Sequence, residues 1–79
     1  MAFEHGQYVR VKMAPYTRMG TIEGSEERRG RTFYIFRQDP RFKETGREFE
    51  AFLLEDELEP CERPTDDYWK TVNTLIERG

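Results

Sequence analysis

Hydrophobic and polar positions alternate in short bursts along this chain, and each burst ends on glycine, proline or a polar cluster. In Tyr8-Val9-Arg10-Val11-Lys12 both valines fall on one face of an extended segment bounded by Gly6 and Pro15. Alternation with a period of two predicts a strand there. Met19-Gly20-Thr21-Ile22-Glu23-Gly24 predicts a second short strand between glycines, and the polar stretch Ser25 to Gly30 predicts a hairpin loop. Arg31-Thr32-Phe33-Tyr34-Ile35-Phe36-Arg37 carries aromatic residues on both faces, which predicts a central strand buried on at least one side. Gln38 to Gly46 is polar apart from Phe42, with Asp39-Pro40 and Thr45-Gly46 as turn signals, and reads as an exposed loop. Arg47-Glu48-Phe49-Glu50-Ala51 alternates again. Between Phe52 and Pro60 a single 3₁₀ turn is expected ahead of a last short strand at Leu58-Glu59.

After Pro64 the period changes. Thr65 is placed as an N-cap, with Asp66 and Asp67 in the first turn, where negative charge suits the helix dipole. Trp69, Val72 and Ile76 recur at spacings of three and four, flanked by Tyr68 and Leu75, so a helix is predicted from Asp66 to Glu77 with Gly79 available as its terminal cap. The expected organisation is one β unit over 1–62 and a helix within 63–79 packed on it or extending from it. Core packing is the first expectation for Trp69. Were the stripe exposed, Tyr68, Trp69, Val72 and Ile76 would form a protein or dimer interface.

With 79 residues the chain is near the lower limit for folding without disulfides or metals. Aromatic residues make up 14% of it, which lets a compact core form from few side chains. A core this small leaves no room for a deep catalytic pocket, so binding is expected on the surface. Cys61 is the single cysteine, which excludes an intrachain disulfide and fits a reducing cytoplasm. No apolar run approaches the ~20 residues of a membrane span, and the first residues lack the pattern of a signal peptide.

Five short strands, a polar hairpin and a 3₁₀ turn before the last strand resemble an SH3-like small barrel. Phe3-Glu4-His5-Gly6-Gln7-Tyr8-Val9-Arg10-Val11 is similar to the G-x-x-V-x-V opening of KOW and Tudor-like barrels. Gly20-Thr21-Ile22 resembles their second strand, Phe33-Tyr34-Ile35-Phe36 their aromatic third strand, and Glu57-Leu58-Glu59-Pro60 their ending. In pattern the chain looks most like the N-terminal Tudor-like module of RapA-type helicases, and next the small barrel of photosystem I that docks ferredoxin through a basic surface. The resemblance covers Phe3 to Pro60 and rests on glycines and core positions, which specify a fold better than a function. It implies a mainly β, five-stranded SH3-like barrel with a C-terminal α-helix.

Charge is divided unevenly. Gln7 to Arg47 holds ten Lys/Arg against five acids, a balance of +5, whereas Glu48 onward holds ten acids against three bases, a balance of −7. Arg28, Arg29 and Arg31 crowd the expected hairpin loop, and Arg41, Lys43 and Arg47 crowd the loop after the third strand. If both loops share one face, they form a cationic patch with Phe42 and Tyr16 as stacking residues, a constellation suited to nucleic acid. The bland alternative is that the charges keep a hairpin in solution, the halves neutralise each other on folding, and Phe42 plugs one end of the barrel. An aromatic cage drawn from Phe33, Tyr34, Phe36, Phe49 and Phe52 competes with the needs of the core.

Catalysis finds little support. Cys61 and His5 are the only nucleophile–base pair of that type, and Cys61 sits beside Glu62, where acidic surroundings raise a thiol's pKa. The carboxylates Glu55, Asp56, Glu57 and Glu59 lack a calcium-loop pattern and read as a solvated turn. The sequence therefore predicts a non-enzymatic binding module without cofactor or metal, monomeric or weakly dimeric, with no membrane or small-molecule partner. Nucleic acid contacted through the basic loops is the leading partner. A protein docked on charged faces or on the C-terminal helix is the alternative.

Overall fold

A computed structural model of the chain describes residues 3–43 and 49–78. The elements are β1 (Tyr8–Val11), β2 (Met19–Arg28), β3 (Arg31–Gln38), β4 (Glu50–Leu54), a 3₁₀ turn (Glu55–Glu57), β5 (Leu58–Pro60) and α1 (Asp66–Arg78). The five strands form one antiparallel sheet in the order β4-β3-β2-β1-β5. No helix is long and apolar enough to cross a membrane among the described residues.

Most elements follow the alternation of the sequence; β4 runs on past the alternating stretch that ends at Ala51 to include Phe52, Leu53 and Leu54, and β2 departs further. The stretch Ser25 to Gly30, expected as a loop, is mostly strand: β2 runs on to Arg28, and Arg28 pairs with Arg31 across a loop of only Arg29 and Gly30. Both loop residues have positive φ, 53° and 77°, as a type I′ turn requires to match the twist of the strands. The polarity of this stretch reflects solvent on both faces of a projecting arm. Nearer its start, β2 carries a bulge between Ile22 and Gly24 that leaves Glu23 without a cross-strand partner.

Two apolar clusters lie on opposite faces of the sheet. The inner face gathers Val9, Ile22, Tyr34, Phe36 and Leu58, all at 3% exposure or less, with Phe3, Val11, Phe49 and Leu53 packed around them. Tyr8, Met19, Phe42 and Trp69 form the second cluster on the outer face, beneath α1. Gly20 sits where β2 pairs with both β1 and β3, opposite Val9 and Gln38. A Cβ there would stand 1.8 Å from the Arg37 carbonyl oxygen, so only glycine admits the close approach.

Gln38 and Asp39, expected in an exposed loop, are buried at 3% and 4% exposure. The Asp39 carboxylate accepts hydrogen bonds from the Tyr8 hydroxyl (2.7 Å), the Arg41 guanidinium (2.7 and 3.1 Å) and the Arg41 backbone N–H (2.9 Å). Arg41 reaches on to Asp66 at the start of α1 (2.8 Å). Burial alone would push the Asp39 carboxyl up, but the hydrogen bonds from Arg41 and Tyr8 outweigh it and hold the group below its ordinary 3.8.

The helix begins as the capping residues predict: the Thr65 hydroxyl accepts the Tyr68 backbone N–H. Its buried stripe differs from the expected one. Trp69 is buried and Val72 half-buried, but the stripe continues through Asn73, while Ile76 and Leu75 are 37% and 62% exposed. At Asn73 α1 meets the backbone of Arg41 and Lys43, whose polar groups need partners. Asn73 supplies both, donating to the Arg41 carbonyl (2.8 Å) and accepting from the Lys43 N–H (2.9 Å).

Urea denaturation reads two consequences of this packing. Gly20→Ala should cost about 3 kcal/mol through its collision with backbone, whereas Gly24→Ala, whose Cβ meets only Ile35 Cδ1 at 3.7 Å, should stay within about 0.5 kcal/mol of wild type. Because the folded Asp39 carboxyl titrates below its unfolded value, the stability it supplies is complete above pH 3.8 and is lost as pH falls through the lower folded value. Asp39→Asn should cost about 3 kcal/mol at neutral pH and flatten that acid-side loss.

Candidate binding surface

The basic residues singled out in the sequence are not brought together. Arg28, Arg29 and Arg31 stand at the tip of the β2–β3 hairpin, and Arg41 and Lys43 follow its other end. The seven steps of β3 from Arg31 to Gln38 span roughly 23 Å of strand. Arg41 is engaged with Asp39 and Asp66 and packs over the Trp69 ring, which makes it a structural anchor. Phe42, expected as a stacking residue, is 2% exposed and packs on Trp69 with ring centroids 5.8 Å apart. Lys43 is exposed beside α1, and Arg47 lies outside the described residues. Tyr16 is exposed, but it sits in the β1–β2 loop, where its carbonyl accepts the Tyr68 hydroxyl at the start of α1.

The helix stripe is likewise reassigned. Trp69 and Val72 belong to the cluster under α1, Tyr68 is half-buried against Trp69 with its ring edge-on, and Ile76 remains at the surface. The aromatic-cage candidates do not converge. Tyr34 and Phe36 are core, Phe49 packs edge-on to Phe36 beneath the Arg18 guanidinium, and Phe33 and Phe52 lie on the opposite face.

That opposite face holds the surface that the sequence reading missed. Pairing of Phe33 with Leu54, Ile35 with Phe52 and Arg37 with Glu50 puts Phe33, Ile35 and Phe52 on one side and Tyr34 and Phe36 on the other. The cluster under α1 occupies the β1–β2 end of this outer face. At the β3–β4 end, Phe52 is 47% exposed and Phe33 and Ile35 are half-buried. Arg28 places its guanidinium 5.4 Å from the Phe52 ring centre, and with Phe33 these residues line an open groove of about 260 Å³. The signal was present in the sequence: alternation in β3 assigns Phe33 and Ile35 to the face opposite Tyr34 and Phe36, and only one face was needed for the core.

Charge around the hairpin is mixed. Arg28 is paired with Glu26 at 3.0 Å, and Arg37 bridges Glu50 (2.7 Å) and Glu23 (3.7 Å). Beside the tip, Lys12, Arg31, Glu4, Glu55 and Asp56 contribute to a second groove of about 870 Å³. Neither sign dominates there.

As for chemistry, Cys61 is half-buried, its thiol donating to the Glu62 carbonyl and lying 3.8 Å from Met19 Sδ. Burial, with Glu59 and Glu62 nearby, pushes the thiol up despite Arg10, which favours the inert protonated form. His5 lies in the exposed turn before β1. Among the described residues no group of three or more His, Cys, Asp or Glu is placed to hold a metal ion. No protein-family model, curated protein or solved structure matches the chain.

Arg29 occupies a left-handed conformation that asparagine or glycine adopts more cheaply. Arg29→Asn should therefore raise the unfolding free energy by about 1 kcal/mol, checked by urea denaturation.

Proposed function

We propose that the five strands curl into an SH3-like small barrel left open between β4 and β5, and that the chain is a non-enzymatic module that docks a protein partner on the bare end of its outer face. The strand order, the tight β2–β3 hairpin and the 3₁₀ turn leading into a last strand that returns to β1 support the fold reading. The docking reading is carried by Phe52. A sheet face open to water is ordinarily polar at alternate positions, yet here an exposed phenylalanine stands next to Phe33 and Ile35. Aromatic residues grouped with an arginine are the usual anchors of protein interfaces.

A second reading, nucleic acid held at the hairpin tip, is favoured by one observation. Arg28 lies over Phe52 with Arg29 and Arg31 beside it, so phosphate and base contacts are both available within one small area. The acids Glu26, Glu27, Glu55 and Asp56 near the tip oppose a polyanion, and the module as a whole carries −3.

The two readings separate experimentally. Under protein docking, immobilised chain retains a protein from a lysate of its own organism after nuclease treatment, and Phe52→Ser abolishes the retention at a stability cost of about 1 kcal/mol. Short single-stranded oligonucleotides at low salt should then leave the amide resonances of 28–31 in place. Retention that survives Phe52→Ser removes the docking reading. Shifts confined to 28–31 that fade as salt rises establish the nucleic-acid reading instead.

A further inference from the structure

We infer that the free edge of β4 receives an extended, basic segment of the partner as an added strand; this rests on the protein-docking reading and names its geometry and chemistry. Among the described residues β4 pairs only with β3. The backbone N–H of Gln38 donates to the Phe49 carbonyl at 2.9 Å, which fixes the phase of the ladder. Antiparallel bonds fall on every second pair, so Phe49, Ala51 and Leu53 turn their backbone groups toward β3. Glu50 and Phe52 therefore direct N–H and C=O off the open edge. The next outward N–H, that of Leu54, is already taken by the Glu57 carboxylate at 2.7 Å. The usable edge is Glu50 to Leu53, closed at one end by the chain itself.

Edges are commonly blunted by lysine, proline, bulges or shortness. β4 has none of the first three over its five residues, whereas the opposite edge, β5, has three residues and ends in Pro60. A strand added to β4 extends the outer face, so its alternate side chains continue the row from Ile35 to Phe52. Apolar residues at those positions would cover the Phe52 ring.

Charge selects the occupant. Glu50, which also holds the Arg37 guanidinium at 2.7 Å, stands at one end of the edge, and Glu55, Asp56 and Glu57, the last also accepting the Leu54 N–H, stand at the other; all are exposed, with no basic residue in the turn. A second copy paired antiparallel about Phe52 would bring Glu50 beside the same acidic turn of its neighbour, which like-charge repulsion opposes. A segment with apolar residues at alternate positions and lysine or arginine at both ends meets acid at both ends instead.

The test uses the whole chain and two synthetic peptides with the same apolar alternation, one ending in lysines and one in glutamates, followed by amide NMR. The lysine peptide should shift the Glu50 and Phe52 amides, slow their exchange with solvent, and bind roughly tenfold more tightly than the glutamate peptide, a margin that narrows with salt. Glu50→Pro removes one outward donor without removing a β3 ladder hydrogen bond and should weaken binding by a similar factor beyond that of Glu50→Gln, which removes the same ion pair with Arg37, while Leu75→Ala on the exposed side of α1 should leave it unchanged. Absence of binding by the lysine peptide, equal affinity for both peptides, shifts that avoid β4, or dimerisation of the chain through β4 in sedimentation would each overturn the inference. If the peptide fails while Phe52→Ser still releases the lysate partner, strand addition falls and the docking reading stands. If Phe52→Ser releases nothing, the docking reading itself has failed.

Discussion

The carboxylate of Asp39 is buried to 4% exposure, and its ionised state organises the rest of the molecule. A buried charge is tolerated only with partners placed around it. Those partners come from three parts of the chain: Tyr8 from β1, Arg41 from the segment after β3 and, through Arg41, Asp66 from α1. The Tyr8 hydroxyl is pushed up, first by burial and then by its bond to Asp39, so it stays a donor across the accessible pH range. One short network thereby joins the sheet to the helix. The neighbouring Asn73 bonds hold the same segment from the helix side. Where α1 rests is settled by these polar contacts, and Trp69 and Phe42 fill the space they define.

That placement divides the outer face. With α1 held at the β1–β2 end, Phe33, Ile35 and Phe52 receive no cover from it. The same network removes Arg41 from any ligand, because its guanidinium is committed to two carboxylates and an indole ring. In the docking reading proposed above, the anchor that fixes the helix also determines which surface remains for a partner.

Much of this was legible in the chain. The strands β1 and β3, the 3₁₀ turn and the Thr65 cap follow from period, turn residues and local hydrogen-bonding chemistry, all of which act over a few residues. Four features were not legible, because each depends on something outside its own few residues or carries no apolar period. Asp39 and Asn73 look like ordinary loop and helix-surface residues until a partner about 30 positions away is known. The strand over Ser25 to Arg28 hid behind its polarity, since an arm with water on both sides has no apolar phase to detect. Phe42 was ambiguous between plug and ligand contact because an isolated aromatic residue in a polar stretch carries no period at all. Sequence patterning thus reports which face of an element is apolar, and long-range polar pairing decides what meets it.

Charge shows the same division. The excess of bases before Arg47 and of acids after it suggested an anionic partner, yet Arg10–Glu59, Arg37–Glu50 and Arg41–Asp66 each join a base of the first half to an acid of the second. The asymmetry along the chain becomes pairing across the fold. Around the hairpin tip both signs gather: three arginines, of which Arg28 pairs with Glu26, an acidic turn next to them, and an aromatic strand edge ending at that turn. In the proposed reading, an extended segment running along β4 ends at the acidic turn Glu55–Glu57. On that reading the partner is defined less by net charge than by the order in which apolar and charged positions arrive along one strand.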